Sequence, residues 1–206
     1  MCKKEEGVIQ TVIFDLGGVF VEDPSAGLIS YCANYFQVDR EALLEALNTH
    51  WGAWHKGSLS EQEIWKHVTT DLPIQNPPYD SLWLDGFKQA HREKPDMFLL
   101  LKQLKFKGYT TALLSNIEAP LVSYFKQHPF KDIDHCFFSC EMGLRKPEKD
   151  IYARILQELE CQPEAAVFVD DREENVEVAT QVGIPSILFR SCDALREQLL
   201  RYSISL

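Results

Sequence analysis

Val12-Ile13-Phe14-Asp15-Leu16-Gly17-Gly18-Val19 is the stretch that decides the fold. A β-branched and aromatic run reads as a buried strand, one carboxylate ends it, and two glycines follow at once. Glycine lets backbone approach a ligand closely, and open α/β sheets bind ligands beyond the carboxyl ends of their strands. Asp15 therefore marks a strand end that faces a site for an anionic ligand.

Outward from that run, Val8 to Phe14, Thr110 to Leu114, Ala165 to Val169 and Ser186 to Phe189 read as strands, with a weaker one at Cys136 to Ser139. Helical patterns separate them. Pro95 occupies a first helical position, Met97, Leu101 and Leu104 share a face, and Gly108 stops the helix. Pro147 is expected to open a second helix carrying Ile151, Ile155 and Leu159. A third runs from about Glu173 through Val176 and Ala179 to Gly183. Strand alternating with helix implies an α/β fold: a Rossmann-like parallel sheet with helices on both faces.

Glu22 to Lys94 breaks that rhythm. Helical patterns lie near Gly27 to Phe36, Arg40 to His50, Ser60 to Thr70 and Asp80 to His91, and Ser60-Glu61-Gln62-Glu63 has the form of a capping box. Lys56-Gly57-Ser58 reads as a turn, and Pro73, Pro77 and Pro78 mark a loop. The expected division is a core of residues 1–21 and 95–206 with a helical cap, 22–94, inserted after the first strand.

A formal net charge of −10 over 206 residues opposes nucleic acid and acidic membranes as partners. Met1 to Gly7 has no apolar run of the kind a signal peptide needs, and no stretch is long enough to span a bilayer. Cys2, Cys32, Cys136, Cys140, Cys161 and Cys192 form no CxxC pair, which predicts reduced thiols in a cytoplasmic protein. Cys136 and Cys140 are expected to be buried small residues. His50, His55, His67, His91, His128 and His135 have no metal-type spacing.

In a parallel sheet the same end of every strand carries the site. Asp15 follows the first strand, Ser115 and Asn116 the second, Asp170 and Asp171 the fourth, and Lys146 lies in a loop before a helix. Taken singly these read as turn, cap or surface residues. Ordered at successive strand ends, they suit phosphoryl transfer. Asp15 can attack phosphorus, and Mg²⁺ held by Asp15, Asp171 and the Gly17 carbonyl can screen the two anions. Ser115 and the Asn116 amide can donate to phosphate oxygens, and Lys146 supplies positive charge where negative charge builds.

These segments resemble the haloacid dehalogenase-like hydrolase superfamily: Phe14 to Val19, Leu114-Ser115-Asn116, Gly143 to Glu148, and Val169 to Asn175. The insertion falls where that family carries its C1 cap. The resemblance extends to a capped subgroup containing α-D-glucose-1-phosphate phosphatases and the phosphatase domain of soluble epoxide hydrolases. It implies that Asp15 is the nucleophile, that Ser115, Asn116 and Lys146 hold the phosphoryl group, and that Asp171 joins Asp15 on Mg²⁺. Asp170 and Asn175 are then supporting groups. The expected substrate is a small phosphorylated metabolite.

Gly17 departs from that pattern, because most phosphatases of the superfamily keep a second Asp there to protonate the leaving oxygen. Two expectations follow: a substrate with a good leaving group, such as an anomeric sugar phosphate, or an acid supplied by Glu22 or Asp23. Trp51, Trp54, His55 and Lys56 stand before the Gly57 turn and are candidates to face a sugar ring, although the tryptophans also suit the packing of the cap. The alternatives are a non-catalytic relative that binds a phosphorylated ligand or a protein, and a metal-independent 2-haloacid dehalogenase. The Asp170-Asp171 pair speaks against the dehalogenase.

Overall fold

The computed structural model describes residues 8–77, 81–127 and 133–206. Met1 to Gly7 (with Cys2), Pro78, Asp80 and His128 lie outside the described residues. In chain order β1 (Thr11–Phe14) leads into the insertion: α1 (Ser25–Phe36), α2 (Arg40–Asn48), α3 (Trp51–His55), α4 (Glu61–Asp71) and α5 (Leu82–Ala90). Then come α6 (Pro95–Phe106), β2 (Thr110–Ser115), α7 (Ala119–Gln127), β3 (His135–Phe138) and α8 (Ser139–Met142). The chain finishes with α9 (Lys149–Glu158), β4 (Ala166–Asp170), α10 (Glu173–Gln181), β5 (Ser186–Leu188) and α11 (Cys192–Arg201).

The five strands form one parallel sheet in the order β3-β2-β1-β4-β5, with β1 at its centre. Alternate residues face opposite sides, so one continuous apolar run serves two cores. Val12 and Phe14 pack with Met97, Leu101 and Leu104 of α6 and Leu195 and Leu199 of α11. Ile13 and Phe168 pack on the other face with Ile151 and Ile155 of α9 and Ala179 of α10. Among the described residues no helix is long and apolar enough to cross a membrane.

The insertion is a helical bundle. Ser60 and Glu63 form the reciprocal capping box that the sequence predicts. Buried Glu61 ties α4 to α5 by accepting from the Trp65 indole nitrogen (2.9 Å) and from the Trp83 backbone N–H (2.8 Å). The two chain segments that join bundle and core lie side by side. Glu22 N donates to Arg92 O (2.9 Å), Lys94 N donates to Phe20 O (2.8 Å), and Val21 and Glu93 form an antiparallel bridge.

Several elements differ from the sequence expectation. Pro147 does not open a helix; it sits in a turn closed by the Glu148 N–H on Arg145 O (2.9 Å), and α9 starts at Lys149. The short α3 and α8, and the longer α7 and α11, carried no pattern that was read as helix. Cys136 is exposed, because β3 is the edge strand and its first residues face solvent, and Cys140, in α8, is half-buried.

Candidate active site

Register brings the acids together. Phe14 pairs with Leu113 on one side and Val169 on the other, so Asp15, just past β1, and Asp170, the last residue of β4, stand at one level. The Asp15 N–H donates to Val169 O at 2.8 Å. Lys146 enters from the turn before α9, and its Nζ donates to Asp15 Oδ1 and to Asp170 Oδ2, both at 2.6 Å. The lysine is only 2% exposed, which separates it from an ordinary solvated surface lysine.

Each member of this cluster has its own support. Asn175 Nδ2 donates to both oxygens of Asp170 (3.0 Å each), and the Arg172 N–H adds a bond to Oδ1 (2.9 Å). The Asn116 side chain grips the Lys146 backbone at two points: Nδ2 donates to its carbonyl (2.8 Å) and Oδ1 accepts from its N–H (2.9 Å). That side chain positions the lysine turn, a role the sequence reading did not foresee. Ser115, buried, lies beside it on the wall of the same cavity.

One ammonium cannot neutralise two buried carboxylates. Burial raises the Asp15 carboxyl to about 7; Lys146 opposes the shift and the charge of Asp170 adds to it. Burial alone would lower Lys146, but Asp15 and Asp170 together hold it above its ordinary value. Asp171 is raised by burial and by the neighbouring Asp170 charge. The site thus has an excess of negative charge that favours a cation.

The donor set fits such a cation. Asp15, Asp170 and Asp171 can each present an oxygen with all three within 4.8 Å of one another. Asp170 already accepts from Lys146, Asn175 and Arg172, which leaves Asp15 and Asp171 as the carboxylates suited to Mg²⁺. The loop after β1 is shaped around them. Gly18 has φ +77°, and a Cβ there would stand 2.0 Å from Asp171 Oδ2, so only glycine admits the carboxylate at this distance. Lys94 Nζ donates to the Gly18 carbonyl and lies 5.1 Å over the Phe189 ring. Gly17 is different: a Cβ there meets nothing within 4 Å, and its φ is not in the left-handed region.

A cavity of ≈150 Å³ lies over these strand ends, bounded by both core and insertion. His55 of α3 contributes to its wall and bonds through Nε2 to Glu118 Oε1 at 3.1 Å, with both side chains buried. The next residue, Lys56, pairs with Glu148 at 2.7 Å, and Gly57 packs so closely on Cys140 that a Cβ would stand 2.2 Å from its carbonyl oxygen. Of the acids considered beside Gly17, Glu22 is exposed and outside the cavity wall. Asp23 lines the cavity, and its Oδ1 accepts from Ser25 N (2.9 Å) and Oγ (2.6 Å). Trp51 lines the cavity, whereas Trp54 is fully buried against Trp51 and Trp83.

Glu118, Arg145, Trp83 and Phe87 also line the cavity without having been singled out for that from sequence. Trp83 and Phe87 carry the apolar periodicity of a core face, and Glu118 reads as an ordinary acid at a helix start. No linear signal marks them.

A family model described as haloacid dehalogenase-like hydrolase matches residues 9–183. Bifunctional epoxide hydrolase 2 of Rattus norvegicus is 26% identical over 92% of the chain, which spans only 38% of that relative's length. Sesquiterpene phosphatase astK of Aspergillus oryzae is 26% identical, over 85% of the chain and 87% of the relative. Among solved structures, a HAD family enzyme from Bacteroides thetaiotaomicron in complex with magnesium and inorganic phosphate superposes with a TM-score of 0.72 at 21% identity. That match covers 88% of this chain and 94% of the other.

Proposed function

The chain belongs to the haloacid dehalogenase-like hydrolases, and from that premise we propose that it is a Mg²⁺-dependent phosphatase of small phosphomonoesters, working through an aspartyl-phosphate on Asp15. The observation that carries this reading is Lys146, buried between Asp15 and Asp170 at 2.6 Å from each, with the Asp171 carboxylate against Gly18. The phosphatase relative, and the likeness to a fold solved with magnesium and phosphate, agree with it.

An Asp15 oxygen attacks phosphorus, a P–O bond forms, and the bond to the alcohol oxygen breaks. The leaving oxygen departs with the electron pair and takes a proton from water. A water molecule then attacks phosphorus, the bond from phosphorus to the Asp15 oxygen breaks, the proton lost by that water passes to solvent, and the carboxylate and inorganic phosphate are released. Lys146 aligns Asp15 and balances charge on the transferred group, while Asn116 holds the lysine's backbone and Asn175 holds Asp170. Ser115 and the Asn116 amide would donate to phosphoryl oxygens. Asp15, Asp171 and the Gly17 carbonyl would hold Mg²⁺, which when bound supplies neutralisation between two anions that otherwise repel. Residues 22–94 act as a cap that shields this chemistry from bulk water over the core of 1–21 and 95–206.

Phosphate esters and 2-haloacids assayed with and without Mg²⁺, beside an Asp15→Asn variant, test the proposal. Phosphate release that needs Mg²⁺ and vanishes in the variant is the expected result. Gly17 favours a second reading, a relative that binds a phosphorylated ligand without turnover. Tight binding of beryllium fluoride with no phosphate release would select it. Halide release without metal would overturn both.

A further inference from the structure

Resting on the phosphatase reading, we propose that the ester group this site accepts is aromatic and apolar: a phenolic phosphate monoester rather than a sugar phosphate. The cavity is divided by chemistry. Asp15, Ser115, Lys146 and Asp171 lie at the strand ends, where the phosphoryl group belongs. Elsewhere the lining divides by depth: Asp23, Arg172 and Glu174 are exposed, Ser25 and Arg145 are half-buried, and the deep part between cap and core is largely hydrocarbon. Leu28 of α1, Trp51 of α3, and Trp83 and Phe87 of α5 come from the cap, and Leu121 and Phe125 of α7 face them from the core. Leu28, Trp83 and Phe87 are each 2% exposed, so this is a deep wall and not an open rim.

A sugar presents several hydroxyls, and each one buried without a partner is costly. The buried polar pair in the deep wall, His55 and Glu118, is already joined. Buried polar side-chain atoms without a partner among these wall residues are only two, His55 Nδ1 and Trp83 Nε1, fewer than the hydroxyls a hexose presents. An aromatic ring meets the opposite situation, because its faces and edges find Trp51, Trp83 and Phe87.

Gly17 adds a separate constraint, a leaving group better than a simple alcohol, which a phenol meets. No side chain stands there to protonate the departing oxygen. A phenol ionises near about 10 and leaves as the phenolate, taking its proton from water afterwards, whereas an alkoxide needs the proton during bond breaking. The bond to the phenolic oxygen breaks as the Asp15 oxygen bonds to phosphorus, and the ring then diffuses out through the opened cap.

Matched esters separate the two arguments. Cyclohexylmethyl phosphate and glucose 6-phosphate are both esters of primary alcohols, so their ratio reads the wall; kcat/KM should favour the apolar ester by about tenfold or more. Phenyl and benzyl phosphate read the leaving group. Phenyl should exceed benzyl by about 10²-fold, and Gly17→Asp should shrink that ratio. Trp51→Ala, at a half-buried position, should raise KM for phenyl phosphate while leaving inhibition by inorganic phosphate nearly unchanged. Glucose 6-phosphate or glucose 1-phosphate turned over as well as its apolar counterpart overturns this proposal and leaves the phosphatase reading standing. If no ester releases phosphate, the phosphatase reading fails and this one with it.

Discussion

His55, the last residue of α3, meets Glu118 at the far side of the cavity's seam, 3.1 Å away and buried, although 63 positions separate them in the chain. The pair joins the cap to the segment that leaves the Ser115 end of β2. Removing one partner strands the other in a poorly solvated place. His55→Ala is therefore expected to lower unfolding stability by about 1–3 kcal/mol and to raise KM more than it lowers kcat. The double variant His55→Leu/Glu118→Leu should lose less than the two single changes combined. Denaturant unfolding and steady-state kinetics check this; strictly additive losses would mean that the pair is not coupled.

Gly17→Asp should fold as well as the wild type, because a Cβ at that position meets nothing within 4 Å. Turnover of alkyl phosphates should rise by up to about 10²- to 10⁴-fold, the range that general acid–base assistance supplies. A variant with unchanged melting temperature and no gain on any alkyl ester would show that the acid is not what limits the wild type.

Asn116→Ala frees the Lys146 backbone at both of its bonds, N–H and carbonyl. The expected result is a fall in kcat of about tenfold or more, the cost of a misplaced charge in a preorganised site. Lys146→Met should be far worse, because it leaves Asp15 and Asp170 facing each other without a cation. If Asn116→Ala changed only KM, the asparagine would be acting on substrate and not on the lysine.

Proton linkage gives a prediction for the metal-free protein. Burial lifts Asp15 from 3.8 to about 7, so between those pH values the folded protein holds a proton that the unfolded chain has released. This contribution to stability is complete below about pH 4 and is lost as pH rises to 7. Mg²⁺ binds the ionised carboxylate, so its stabilisation should grow over the same interval. Melting curves with EDTA and with Mg²⁺ at pH 5 and 7.5 read both effects. An equal Mg²⁺ increment at the two pH values would contradict it, and Asp15→Asn should remove the difference.

Glu61→Ala should destabilise the protein by about 1–3 kcal/mol, since it takes the acceptor from both the Trp65 indole and the Trp83 N–H. Chemical unfolding measures it, and a change below about 0.5 kcal/mol, the size of an ordinary surface substitution, would contradict the bonding described.

Asp15, Ser115, Asp170 and Asp171 were legible in the sequence because strand ends are written locally: a short apolar run, then polar residues at once; Lys146, in a loop, was legible only through the family resemblance. The helical insertion was legible by its period and its capping box. What a side chain bonds to was not. Asn116 looks like a ligand for phosphate until the fold sets its amide on the Lys146 backbone, which lies 30 residues away. Pro147 has the composition of a helix start, yet the turn around Lys146 determines where α9 begins. His55 and Glu118 have no shared pattern at all; only the docking of α3 on the core, against α8 and the segment that follows β2, brings them together.

The paired segments that join cap to core have a mechanical consequence. Val21 bridges Glu93 and also Gly17, and Lys94 bonds to the Gly18 carbonyl, so the hinge and the loop that carries Gly17 and Gly18 are one continuous piece of backbone. Any displacement of the inserted helices relative to the sheet has to pass through this ladder, so it reaches the turn that holds Gly18 against Asp171. The placement of the insertion and the shape of the loop beside Asp15 are therefore one mechanical variable and not two.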